Sequence, residues 1–134
     1  MKLAITGAGG RMGQALIEAA ASDRELEVVV AHDVAGVGNP AGKLKVTSEN
    51  KALAIAEVVV DFTRPAGTLE HLKHARAMVI GTTGFSEKEK LLIADAAKRI
   101  PVVMAANFAV GVNAAYQLAE TAASTSSRAV ELTP

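Results

Sequence analysis

The chain has 134 residues, half of them hydrophobic but only 3% aromatic, and its fourteen basic side chains balance fourteen acidic ones. That balance offers no field to gather nucleic acid or an anionic membrane, and the absence of cysteine excludes a disulfide framework or a thiolate metal site. No apolar run approaches the ~18 residues of a membrane span and the start lacks a signal-peptide layout, so the expectation is one soluble, cytoplasmic domain with a core of Ala, Val, Leu and Ile.

Strand and helix signals alternate along the chain. Lys2–Thr6 (KLAIT) is a short apolar run, and an amphipathic stretch from Arg11 to Ala21 follows it. Leu26–Asp33 is β-branched and leads into Val34–Lys45, whose glycines and proline without periodicity predict a mobile surface loop. Ser48 is placed to cap a short helix before the next apolar run, Glu57–Thr63. A helix is expected from Thr63 or Arg64 to about Arg76, then a strand over Ala77–Thr83. Ser86 and Glu89 form a capping box opening a helix over 87–99, which Pro101 stops. Pro101–Asn107 reads as the last strand, and a last helix is expected over 110–123. Continuously apolar strands alternating with helices predict an α/β fold, a Rossmann-like doubly wound parallel sheet.

The first strand-to-helix turn reads GAGGRMG. A helix start there exposes unpaired N–H groups and a positive dipole end, and a pyrophosphate reaches them only where no Cβ intervenes. Gly7 suits the tight turn, Gly9 and Gly10 the phosphate approach, and Gly13 close packing of helix on sheet. The spacing is G-x-x-G-x-x-G; the G-x-G-x-x-G fingerprint would need glycine at Met12. Any tight strand–helix turn also favours glycine. The balance is tipped by Asp33, at the end of the second strand and 20 residues beyond Gly13, where a carboxylate accepts hydrogen bonds from ribose hydroxyls. Val34 beside it brings no cation for a 2′-phosphate; His32, Lys43 and Lys45 are the weak alternatives.

Other chemistry-bearing residues gather at the remaining strand ends. Asp61, Phe62, Thr63 and Arg64 follow one strand, and Gly81, Thr82, Thr83 and Gly84 another; Ala105, Ala106, Asn107 and Phe108 follow the last. Small residues, hydroxyls and an amide suit a flat nicotinamide. The threonines equally suit helix capping, Asp61 can simply hold loop amides, and Arg64 can be a solvated helix-start residue. His71 and His74 lie three apart beside Glu70, but with no third ligand to place they read as surface histidines rather than a metal site.

GAGGRMG, DFTRPAGTLEHL, VIGTTGF and PVVMAANFAVGVN together resemble the amino-terminal domain of the 4-hydroxy-tetrahydrodipicolinate reductase (dihydrodipicolinate reductase) family. These are NAD(P)H-dependent oxidoreductases of bacterial lysine and diaminopimelate biosynthesis. The resemblance implies that Gly7–Gly13, with Arg11 and Met12, cradles the pyrophosphate and that Asp33 takes the ribose. It implies that Phe62 and Thr63 line the cofactor cleft, that Gly81, Thr82 and Thr83 meet the nicotinamide, and that Ala105, Asn107 and Phe108 close its pocket.

Two positions depart from the family pattern: Ala109 stands where Ser is common, and Val34 where some members carry an Arg that favours NADPH. Family chains are about twice as long. Their second, α+β domain holds the catalytic His-His pair and Lys and builds a homotetramer. On that resemblance residues 1–134 are read as the dinucleotide-binding domain, with 124–134 starting the crossover toward the other domain. By itself the chain is then expected to bind NADH, at least as well as NADPH, and to be monomeric and without turnover. The alternatives are a free-standing dinucleotide sensor and the cofactor domain of another two-domain dehydrogenase.

Overall fold

The computed structural model describes residues 1–131, with side chains through residue 121. The chain divides into two compact units, Met1–Met104 and Ala105–Pro134.

The first unit is a five-stranded parallel sheet with helices on both faces. Its strands are β1 (Lys2–Thr6), β2 (Glu27–His32), β5 (Val58–Asp61), β6 (Met78–Ile80) and β7 (Val102–Met104), in the order β2-β1-β5-β6-β7. A single parallel bridge joins Thr47 to His32 on the outer side of β2. Counting that vestigial strand, the order is the 3-2-1-4-5-6 of a dinucleotide-binding fold, reversing direction between β1 and β5. Each strand presents alternate side chains to the two faces, and each face has its own core. Ala4, Val30, Val59, Met78 and Ile80 pack with Leu53, Leu72, Ala75, Ile93 and Ala96 on one side. Leu3, Ile5 and Ala31 pack with Ile17 and Ala20 of α1 (Arg11–Ala21) on the other. Truncating Ile80, which solvent does not reach, to Ala would cost about 2–5 kcal/mol.

Local sequence accounts for the element boundaries. In α2 (Pro65–His71), Pro65 takes the first helical position and Arg64 before it is extended (φ −130, ψ 155), as a residue preceding proline must be. In α3 (Glu87–Ala96) both halves of the capping box form: Ser86 accepts from the Glu89 N–H, and Glu89 accepts from the Ser86 N–H at 2.8 Å. Those Ser86 hydrogen bonds hold the Glu89 carboxyl below its ordinary pKa.

Several expected boundaries shift. Helices α2 and α3 each end early and close with a turn, at 72–74 and 97–99. The short helix before β5 is a 3-10 turn, Asn50–Ile55, preceded by Glu49 rather than capped by Ser48. The expected loop over 34–45 contains an antiparallel hairpin, β3 (Pro40–Ala41) with β4 (Leu44–Lys45). Three positive-φ glycines there (36, 38 and 42) let it fold back.

In the second unit, α4 runs Val110–Glu131, eight residues beyond the expected end. The remainder of the 124–134 segment lies outside the described residues. Asn107 shapes the approach to α4: its Oδ1 accepts from the Ala109 N–H at 2.7 Å, and its carbonyl accepts from Asn113 Nδ2 at 3.2 Å.

Candidate dinucleotide site at the carboxyl ends of the strands

The turn after β1 is built by glycine. Gly7 has φ +68, and its carbonyl accepts from the Gly10 N–H at 3.0 Å, closing the turn. Gly13 lies directly under that carbonyl: a Cβ there would stand 2.1 Å from the Gly7 oxygen and 2.8 Å from Ala8 Cα. Glycine at 13 is therefore a packing requirement, as expected. Gly10 is the N-cap of α1, in extended conformation and with no side-chain cap, so no side chain covers the first-turn N–H groups of Arg11, Met12 and Gly13. A recess of about 490 Å³ lies there, lined by Gly7, Gly10, Arg11, Met12, Gly13, Ala15 and Phe62.

Asp33 is tied into this turn. Its Oδ2 accepts from the Gly9 N–H at 2.9 Å, and its Oδ1 from the Ala35 N–H at 3.1 Å. A Cβ on Gly9 would stand 3.2 Å from that same Oδ2. The carboxylate thus braces the glycine turn and faces a second cavity, of about 630 Å³, with Gly7, Gly10, Thr63, Arg64 and His71 among its lining. Gly7, Gly10 and Phe62 border both hollows, which meet at the switch point of the sheet.

The structure corrects the reading of His32 as a cation for a 2′-phosphate. The ring is buried to 1% exposure, and neither nitrogen has a hydrogen-bond partner. Burial and the neighbouring His71 push its pKa down. The Ser48 backbone, the Asn50 side chain and Asp33 oppose that shift without either of the first two reaching hydrogen-bond geometry. Lys43 and Lys45 sit in the β3–β4 hairpin region and do not line the Asp33 cavity, whereas Arg64 does.

A second correction concerns His71, which is buried and not a surface histidine. Its Nδ1 lies 2.6 Å from Asp61 Oδ2, and Asp61 is wholly inaccessible. The other oxygen, Oδ1, collects the Thr63 N–H (2.9 Å) and the hydroxyls of Thr63 (2.7 Å), Thr68 (3.1 Å) and Thr82 (3.0 Å). Burial alone would raise the pKa of this carboxyl, but the hydrogen bonds from His71 and Thr63 outweigh it and hold the pKa at about 2. One carboxylate therefore joins the turn after β5, helix α2 and the turn after β6. The signal was present in the sequence: Thr68, His71, Leu72 and Ala75 follow helical spacing and are all buried. His74, by contrast, faces Glu70 at 3.8 Å.

Of the remaining residues singled out, Gly81 lies against Phe62, where a Cβ would meet the ring at 2.0 Å. Thr82 is buried in the Asp61 cluster and Thr83 is exposed. The first unit thus brings together the glycine turn, Asp33, Phe62, Thr63 and Gly81–Thr83. Ala105, Asn107 and Phe108 belong to the second unit. Among the described residues no helix is long and apolar enough to cross a membrane.

The profile of the family described as "Dihydrodipicolinate reductase, N-terminus" matches residues 1–108. The chain belongs to this family. The 4-hydroxy-tetrahydrodipicolinate reductases of Aromatoleum aromaticum and Dechloromonas aromatica are 49% and 47% identical to it, over 92% and 91% of the chain. The chain spans about half the length of these curated relatives (50% and 51%). Among solved structures, the dipicolinate-bound dihydrodipicolinate reductase of Paenisporosarcina sp. TG-14 superimposes with a TM-score of 0.67 at 27% identity, covering 83% of this chain and 49% of that one. An NAD-binding protein of Listeria innocua shares the fold alone, with a TM-score of 0.54 at 23% identity, 77% of this chain and 34% of that one. Membership of the dihydrodipicolinate reductase family disfavours the readings as a free-standing sensor or as part of another dehydrogenase.

Proposed function

We propose that the first unit holds a nicotinamide dinucleotide across the carboxyl edge of its sheet, as the hydride-donor half of a 4-hydroxy-tetrahydrodipicolinate reductase. The observation that carries this reading is the bond between Asp33 and the Gly9 N–H, beside the uncapped start of α1. A ribose acceptor and an anion site thereby stand on adjoining hollows at the switch point. The residues fit the group, since the turn that would take a pyrophosphate carries hydrogen in place of Cβ at Gly9 and Gly10.

In this reading the first-turn amides at Arg11, Met12 and Gly13 hold the phosphates, and Asp33 accepts from the adenosine ribose. Phe62 and Thr63 wall the crevice, and Gly81–Thr83 bounds its nicotinamide side. The bound cofactor supplies the hydride; this chain binds and orients it. NADH binds at least as well as NADPH, because Val34 offers no charge for a 2′-phosphate and Asp33 repels one. Orienting an acceptor against the nicotinamide is worth roughly 7–11 kcal/mol of the barrier. The strand-end edge has few cations to grip a dicarboxylate, so the 134 residues by themselves bind cofactor without turnover. In the family resemblance the tetramer contacts belong to the second domain, so these residues by themselves are monomeric.

Calorimetric titration tests the reading. Wild type should bind NADH, and Gly10→Val, which sets a branched side chain where the phosphates approach, should abolish binding while the circular-dichroism spectrum is unchanged. Unchanged affinity in that variant would overturn the phosphate assignment. An NADH-oxidation assay with freshly generated hydroxytetrahydrodipicolinate, run with light scattering, checks turnover and mass.

A further inference from the structure

We infer that Thr82 is a positioning residue for the nicotinamide half of the dinucleotide: its buried hydroxyl clamps the turn after β5 to the turn after β6 and so fixes Phe62 against Gly81. The inference rests on the dinucleotide reading and deepens it.

A threonine hydroxyl has one proton to give and two lone pairs to offer. That of Thr82 uses all three within the protein. It donates to Asp61 Oδ1 at 3.0 Å, accepts from the Thr63 N–H at 3.0 Å, and accepts from the Thr68 hydroxyl at 2.9 Å. With the residue only 5% exposed, this hydroxyl has neither the capacity nor the access to bond a ligand. Any effect of Thr82 on a cofactor therefore passes through the groups it holds.

Those groups belong to a pair of facing turns. Thr63 follows Phe62 in the chain, and Thr82 follows Gly81. The bond from the Thr63 N–H to Thr82 ties one turn to the other, and the Gly81 N–H donates to the Asp61 carbonyl at 2.8 Å as a second tie. Between these bonds the Phe62 ring lies so close to Gly81 that a Cβ there would meet it at 2.0 Å. Phe62 borders both hollows at the switch point, whereas Thr82 lines neither. Loss of the Thr82 hydroxyl frees Thr63, and with it Phe62, to shift relative to Gly81, which changes the crevice between the two turns. The glycine turn and Asp33 are held by bonds of their own, and none of these includes Thr82. The adenosine and phosphate half is thereby insulated from the clamp.

Calorimetric titration of the whole chain with NADH and with ADP-ribose, which lacks only the nicotinamide, tests this division. Wild type should prefer NADH. Thr82→Val keeps the shape and removes the hydroxyl, and Asp61 Oδ1 retains its donors from Thr63 and Thr68, so the variant should fold. Its NADH affinity should fall about three- to tenfold, the range of one hydrogen bond, and its ADP-ribose affinity by less than about twofold. Thr82→Ser keeps the hydroxyl and should restore the wild-type ratio. Equal losses for both ligands in Thr82→Val would mark a merely structural role and overturn the inference. An unchanged ratio, or a Thr82→Ser variant that behaves like Thr82→Val, would overturn it too. Should Thr82→Val not fold, Thr82→Cys, whose thiol donates and accepts only weakly, is read by the same ratio. Equal wild-type affinities would overturn this inference and leave the adenosine and phosphate assignments standing. Failure of wild type to bind either ligand would overturn the dinucleotide reading as well.

Discussion

Asp61 and His71 meet through a 2.6 Å hydrogen bond at the end of β5, with the carboxylate at 0% exposure and the histidine at 5%. Removing the carboxylate strands an N–H, three hydroxyls and an imidazole in the interior. Breaking a buried pair of this kind costs about 3–5 kcal/mol, so Asp61→Ala should lower the urea midpoint sharply or prevent folding. The acid limb follows from the depressed pKa. The contribution is fully present above the ordinary aspartate value of about 3.9 and is lost as pH falls through about 2. Chemical denaturation between pH 4 and 2 should show that loss in wild type; a flat profile there would contradict the ionised hub.

His32 acts with the opposite logic. Its pKa is lowered in the fold, chiefly by burial, so the unfolded chain takes up a proton first as pH falls through about 6.5. Stability should therefore decrease from pH 7.5 toward 5.5. Thermal melts of His32→Leu should show a shallower slope over that interval. An identical slope would assign the dependence to other groups.

The glycines of the first turn should separate into two classes. Gly13→Ala drives a Cβ into the Gly7 carbonyl at 2.1 Å, a backbone clash that should cost about 1–3 kcal/mol or more. At Gly10 the added carbon stands 3.2 Å from the same oxygen and requires only a small adjustment. Gly10→Ala should melt close to wild type yet bind NADH more weakly. Similar melting losses in both variants would refute the distinction.

Cofactor preference should respond to Asp33 and Arg64 in opposite senses. Asp33→Ala removes a charged hydrogen-bond acceptor worth roughly 1.5–3 kcal/mol, so NADH affinity should fall about tenfold or more and NADPH affinity far less. Arg64 is the cation lining the Asp33 cavity among the described residues, and Arg64→Ala should weaken NADPH more than NADH. Parallel titrations of both cofactors read each change; equal losses for the pair in Asp33→Ala would sink the ribose assignment.

The features legible in the sequence are those set by neighbours in the chain. Continuous apolar runs mark the parallel strands, Ser86 with Glu89 marks a helix start, and Gly13 marks a close approach of helix to turn. The Asp61 cluster was less legible because its members come from three separate segments. Spacing alone leaves Asp61 as a strand-end residue able to hold loop amides and pairs His71 with His74, whereas burial groups His71 with Thr68 and Ala75. Burial of His32 depended on the segment around Thr47 folding over β2, which a glycine-rich stretch without periodicity does not announce.

The Gly9 N–H and the proposed ribose draw on one carboxylate, which matters to anyone re-engineering cofactor choice. Replacing Asp33 to admit a 2′-phosphate would also release the brace on the glycine turn, so altered selectivity would arrive together with a loosened phosphate cradle. Val34, 86% exposed and outside that bond, is the position where a new cation can be introduced without loosening the cradle.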